Sequence, residues 1–583
     1  VTPGTSLVAI GGIPTGYIIP PDTFVNGLPL APFNKTFAAG DIVPVAVTLP
    51  AGTAIAAGTV LGFAASVKPI VALDPTFFSQ GFSAYSLQSP YSVRVKSGVQ
   101  LAVTQPVFQF TAASLAAPTG SDPAVAAPVV LPSLFIENPR TRVLTQRGGA
   151  DLIIGNPNAR EQYPLGTPGR ISTLSQGDVS LGLGASITVD PGRSVSIGGT
   201  GQITIEGSIT ARGGAITIVN NAWQEDITLQ RPYTPSGRSV WIGDHARLDV
   251  SGLAATATDT LGGRYGFVSN GGAVTLGAFT QVYQEDGSLK SGNAFLVLRP
   301  GSVIDASGAS ATFDLLSASG RMQSRTVASG GGVISLASQR GIFIDGSLRA
   351  ASGGEGASGG ALTVMLETPI LPIYVDTNSW PPGPIEVAEE AKAGRVITVQ
   401  QTHSASGVSG SAVPGALDSG LVLGQARLGV DQVTAGGFDS LSLWARGAIA
   451  FDGDVTLSLA RSLTLQQGPI VNTTAGGLVS LYAPYVFLDG QTYQFDRKFD
   501  SGQDNAYRQG WVQLAPGIVP AYPSGGTLSI SGNLVDVRNQ ALARYDEARI
   551  TSTGDLRFLA ATDTAYKPQS IAPFQTVLAS TGN

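Results

Sequence analysis

Gly198-Gly199-Thr200-Gly201-Gln202-Ile203-Thr204-Ile205-Glu206-Gly207-Ser208-Ile209-Thr210-Ala211-Arg212-Gly213-Gly214-Ala215-Ile216-Thr217-Ile218-Val219 is the stretch whose reading decides the fold. Short β-branched runs alternate with glycine turns, and nothing in it favours a helix. It closes on two glycines, any residue, an aliphatic, Thr or Ser, and an aliphatic. That phrase returns at Gly271–Leu276, Gly331–Leu336, Gly359–Val364, Gly476–Leu481 and Gly525–Ile530, with a stretched copy at Gly436–Leu443. Alternation puts Ile216 and Ile218 on one face and Thr217 on the other. So short a strand cannot bury its face alone and needs a like neighbour above and below, about 4.8 Å away. The glycines supply corners with φ > 0. The expectation is an all-β chain folded as a parallel β-helix; the competing arrangement is a β-sandwich with glycine turns.

Composition agrees with a solenoid. The chain has 583 residues, too many for one conventional core, and a solenoid core grows in one dimension only. Its 75 glycines are about twice the usual share, and charged residues, at 13%, about half of it. A hydrophobic fraction of 43% argues against disorder. Net charge is −6 without a basic block, which argues against a nucleic-acid partner. The chain has no cysteine, so disulfides, thiolate metal sites and thiol nucleophiles are excluded. Its two histidines, His245 and His403, are too few for a histidine-built metal site. No metal and no cofactor is expected. The uncharged runs Ile42–Val67 and Ser97–Ser121 are long enough to span a bilayer, but their proline and polar content speaks against it.

Taken in order, residues 1–75 are rich in proline and poor in repeats. They read as an irregular segment with short edge strands packed on the solenoid, or as a small separate cap. Residues 76–583 read as the β-helix, with insertions near 222–239, 366–430 and 490–523. Tyr91–Lys96 and Val99–Val103 look like two faces of one coil. The second insertion holds the one helix-like piece, Ile385–Lys392. Corner loops lengthen without disturbing the stack. No cap is evident at either end, so further chain or a second copy is expected there.

The phrases Gly301–Gly308, Gly341–Ala350 and Gly476–Pro484 resemble the filamentous-haemagglutinin-like exoproteins of Gram-negative bacteria, over roughly residues 80–565. That resemblance implies a right-handed β-helix rod, export by two-partner secretion through an outer-membrane pore, and an extracellular or cell-surface location. Members act as adhesins or as stalks for a distal toxin. The family's secretion domain carries an Asn-Pro-Asn-Gly type of motif at the mature N-terminus. Here Asn156-Pro157-Asn158 lies mid-chain before Ala159, so it reads as a turn and the piece as shaft.

Chemistry on the rod is sparse. The densest cluster is the third insertion, where Tyr493, Phe499, Asp500, Asp504, Tyr507, Arg508 and Trp511 read as a partner- or ligand-contact patch. Asp244-His245 suggests acid–base work but lacks an evident third partner. Gly198–Gly201 opens like a calcium-binding nonapeptide repeat, but Gln202 stands where Asp is needed. The leading expectation is a structural, adhesive surface rod that presents contact loops, performs no turnover and self-associates into filaments. A polysaccharide-active lyase or hydrolase and a phage tailspike or fibre module are the alternatives.

Overall fold

The computed structural model describes residues 71–89, 92–155, 177–199, 201–220, 237–277, 294–367, 394–490 and 523–560. It also gives the backbone of seven short strands between Ser6 and Phe63, and of Ile370–Asp376, Asp496–Lys498 and Tyr507–Gln513. The chain divides into two compact units: Val1–Asp74 with Leu165–Thr173, and Pro75–Pro164 with Leu174–Asn583. In the first unit the strands pair antiparallel, with Val60–Phe63 between Ser6–Val8 and Thr23–Val25. None of the described helices is long and apolar enough to cross a membrane.

The second unit is all-β and is built on three parallel sheets, compatible with a solenoid. The chain visits them in rotation. Ala84–Leu87 lies in the first sheet, Ser92–Val95 in the second and Gln100–Val103 in the third. The next circuit sets Asp151–Gly155, Asp178–Leu181 and Ser186–Val189 beside them in the same order. Within the two segments read as faces of one coil, Ser92–Val95 and Gln100–Val103 are therefore strands of the second and third sheets.

Inward residues form unbroken aliphatic columns. In the first sheet Leu152, Val195, Ile216, Val274, Ile334, Leu362, Leu441, Leu463, Val486 and Val535 stand in register on successive strands. Each is at most 2% exposed. Complete burial of such a side chain stabilises by about 1.5–3 kcal/mol, which only the neighbouring circuits make available. Ile216 and Ile218 point inward and Thr217 outward, as alternation requires.

Five glycine-pair phrases, those ending at Ile218, Leu276, Leu336, Val364 and Leu443, are adjacent parallel strands of the first sheet. The remaining two, ending at Leu481 and Ile530, pair with each other in parallel. Most of the glycines serve a purpose other than the expected φ > 0 corner. Gly271, Gly272, Gly331, Gly332, Gly359 and Gly360 are not among the residues with positive φ. They allow close backbone approach instead: a Cβ on Gly332 would come within 1.9 Å of the Gly272 carbonyl oxygen, and one on Gly272 within 2.0 Å of that of Gly214. Those same oxygens accept the N–H groups of Val333 and Ala273. A side chain there would push adjacent circuits apart.

The insertion expected over 366–430 needs correction, because it contains two strands of the second sheet. Val396–Gln400 and Gln425–Gly429 both belong to it, and the later one sits between Gly341–Ile344 and the earlier one. Joining adjacent parallel strands demands a crossover, and residues 401–424 are that crossover. A one-turn helix, Val430–Ala435, then continues the circuit beyond Ser347–Arg349, the last strand of the third sheet. Toward the C-terminus, Thr527–Arg538 and Glu547–Phe558 are each long enough to run through a corner. The first half of Thr527–Arg538 pairs with Leu478–Tyr482 and the second half with Tyr485–Asp489. Ile385–Lys392 lies outside the described residues.

One end of the stack has a plug that the sequence did not advertise. The 3-10 turn Pro75–Ser79 buries Phe78 to 2% exposure beside Tyr85, and the Thr104 N–H donates to the Phe78 carbonyl.

Candidate functional site

The three corners of the circuit differ in length. Direct second-to-third connections are short: 96–99, 182–185, 206–207, 243–246, 299–302 and 345–346. Two of those leaving the third sheet carry antiparallel hairpins, Ala254–Thr258 with Arg264–Val268 and Ser310–Leu316 with Met322–Ala328. Long connections leave the third sheet after Val103, Asp249 and Asp305, the second after Gln400, and the first after Gly155, Asn220, Leu276, Leu366 and Asp489. Two of these meet. Ile370–Asp376 pairs antiparallel with Tyr507–Gln513, which also pairs with Asp496–Lys498. Strands from the second and third insertions thus form one three-stranded sheet.

That sheet carries part of the contact patch expected from sequence. Tyr507, Arg508 and Trp511 lie on its central strand, opposite Asp376, Val375 and Pro372. Tyr493, Phe499, Asp500 and Asp504 lie outside the described residues.

The outer face of the second sheet is the other site. Trp241, Phe295, Val297 and Phe343 point outward on three adjacent strands, yet each is at most 5% exposed. The crossover 401–424 covers them: Leu421 packs on them, with Val408, Ala412 and Leu423 at its edge. This strap is held at the short corners. Asp345 accepts the Ser406 N–H at 2.8 Å, the Ser406 hydroxyl at 2.5 Å, and faces His403 Nε2 at 3.2 Å. Asp431 accepts the His403 N–H at 2.9 Å. Arg299, almost fully buried, donates to the carbonyls of Val408 and Gly410 and lies over the Trp241 ring at 5.2 Å.

Asp244-His245 gains neighbours from the circuits on either side. Arg299 Nε lies 3.3 Å from Asp244 Oδ1. The Glu206 side chain lies against Gly243, where a Cβ would meet its Oε2 at 2.0 Å. Desolvation there, and next the charge of Asp244, raises the Glu206 pKa above its ordinary 4.5. At a later corner Asp452 is shifted down, because the Thr473 hydroxyl and the Gln400 amide donate to its carboxylate.

The Ser406, Asp345 and His403 side chains do not stand in the order of a catalytic relay. A Ser–His–Asp relay needs the imidazole between hydroxyl and carboxylate. Here the carboxylate of Asp345 lies between Ser406 and His403, and His403 Nδ1 is buried without a hydrogen-bond partner. Sequence reasoning passed over Asp345, Glu206 and Arg299 because circuit neighbours are distant in sequence. The signal that could have found them is their shared position just after a second-sheet strand. Comparison of the chain with protein-family models, with curated proteins and with solved structures finds no match.

Proposed function

We propose that the chain is the right-handed β-helix shaft of a filamentous-haemagglutinin-like exoprotein, exported by two-partner secretion and displayed or released at a Gram-negative cell surface. In this reading it is an adhesive rod without turnover, and its partners are the outer-membrane pore and a host or bacterial surface ligand. The observation that carries it is the contrast between the direct second-to-third connections, each two to four residues long, and the long connections that leave the first and third sheets. A regular stack that confines its variation in this way is suited to presenting loops. The Ile370–Asp376/Tyr507–Gln513 pairing joins two such loops into one contact surface. The test is to replace 491–522 by a short Gly-Ser turn in the displayed protein. The stack should persist by circular dichroism while cell adhesion is lost; unchanged adhesion defeats the proposal.

A polysaccharide-active enzyme is the second reading, and Glu206 beside Asp244 and Arg299 is the observation in its favour. Against it, Arg299 is committed to the strap and Trp241 is buried. Release of reducing ends from a polysaccharide panel, abolished by Glu206→Gln, would favour this reading over the first.

A further inference from the structure

The last strand of the first sheet, Glu547–Phe558, is an edge. One side pairs with Thr527–Arg538, and the other has no strand partner among the described residues. Core columns run out on it: Leu556 and Phe558 stand in register with buried Val535 and Val537, yet are 39% and 65% exposed. This 12-residue edge, whose register against Thr527–Arg538 shifts by one residue between Ser552 and Asp555 as it rounds a corner, carries open apolar columns and is a template for another strand.

Register and charge select the partner. The outward side chains of this strand are Glu547, Arg549, Thr551, Thr553, Asp555 and Arg557; the inward ones include Ala548, Ile550, Leu556 and Phe558. Consider the strand antiparallel to a copy of itself, centred on Ser552. Glu547 then faces Arg557, Arg549 faces Asp555, and Thr551 faces Thr553. On the inner face Ala548 meets Leu556 and Ile550 meets Gly554. Shifting the centre by one residue toward the N-terminus opposes Glu547 to Asp555, and shifting it one residue the other way opposes Arg549 to Arg557. Half-residue shifts set inward groups against outward ones. Of these registers the one centred on Ser552 pairs opposite charges and apolar groups together, and each such pair occurs twice about the two-fold axis.

We infer that Glu547–Phe558 pairs antiparallel with the same strand of a second copy, joining two molecules tail to tail about a two-fold axis through Ser552. The existing contacts allow it. Among the described residues, Arg549 is bonded only to exposed Glu547 of its own strand. Arg557 holds Asp536 with its side chain half exposed, and a guanidinium has donors to spare. This contact is isologous, so it closes at two copies and does not propagate into a filament. It depends on the edge alone and not on the adhesive reading.

Analytical ultracentrifugation of the full chain tests it. The wild type should dimerise reversibly. Arg549→Glu places an acid against Asp555 twice per dimer and should weaken dimerisation about tenfold or more. Asp555→Arg alone should do the same, and the double exchange Arg549→Glu/Asp555→Arg should restore it. Both residues are exposed, so folding should not change. A chain that stays monomeric at all concentrations overturns the inference. So do single variants that dimerise like the wild type, a double exchange that fails to rescue, or open-ended growth beyond two copies.

Discussion

The outer faces of the first and second sheets make an instructive pair. Both back onto the same aliphatic core. On the first, Ser196, Thr217, Thr275, Ser335, Thr363, Ser442 and Thr464 form one register column of half-exposed hydroxyls. On the second, the corresponding outward positions hold Trp241, Val297 and Phe343, sealed under the strap. The inward pattern makes a wall, and the outward residues record whether anything lies over it. An apolar outer face on a parallel sheet signals a covering segment, just as helices cover both faces of α/β sheets.

Four measurements would break or sharpen this contrast. The largest effect is expected from Phe343→Ala, which empties a site beneath the strap. It should cost about 3–5 kcal/mol, read as a lowered denaturation midpoint and faster hydrogen exchange in 401–424. An effect below about 1 kcal/mol would mean the second face is not sealed. Asp345→Ala removes the carboxylate shared by Ser406 and His403 and should cost about 1–3 kcal/mol. Limited proteolysis should then cut within 401–424 first; unchanged resistance would show that the apolar contacts hold the strap alone.

The third measurement is pH dependence at the short corners beside the covered face, where two carboxylates should act with opposite sign. The Glu206 pKa is raised above 4.5, so the folded state holds its proton more tightly than the unfolded state. Stability is therefore lost as pH rises from 4.5 through the raised value, and Glu206→Gln should remove that loss. The Asp452 pKa is lowered below 3.8, so its contribution is present above 3.8 and disappears as pH falls through the folded value. Asp452→Asn should destabilise at neutral pH and converge with the wild type in acid. Parallel denaturation midpoints across pH for either variant and the wild type would refute that assignment. The smallest effect belongs to the open face, where Thr363→Ala should stay within about 0.5 kcal/mol in the same denaturation experiment. A larger loss would mean that something covers the hydroxyl column too.

Sequence made the stack legible where neighbours in space are copies in pattern. Ile216, Val274, Ile334 and Leu362 could be aligned by eye, and they are adjacent in the first sheet. It failed where the chain departs from simple succession. Gln425–Gly429 looked like part of an insertion because its place in the sheet precedes that of Val396–Gln400, a reversal that no local pattern encodes. The glycine pairs were recognised, but their purpose was misread: at Gly272 and Gly332 the constraint comes from the backbone of the adjoining circuit and not from a local turn. Of the contact patch, Tyr507, Arg508 and Trp511 lie on the strand Tyr507–Gln513. Their antiparallel partner, Ile370–Asp376, was missed because about 130 residues separate the two strands and only tertiary structure joins them.

The reversed order of those two strands bears on how the molecule can assemble. A chain growing from its N-terminus can lay down each circuit on the one before, until residue 367. Val396–Gln400 then emerges with no finished edge beneath it, because the rung that joins it to Gly341–Ile344 is supplied later, by Gln425–Gly429. Val396–Gln400 therefore gains its inner neighbour only when the strap has crossed and Gln425–Gly429 has filled the gap.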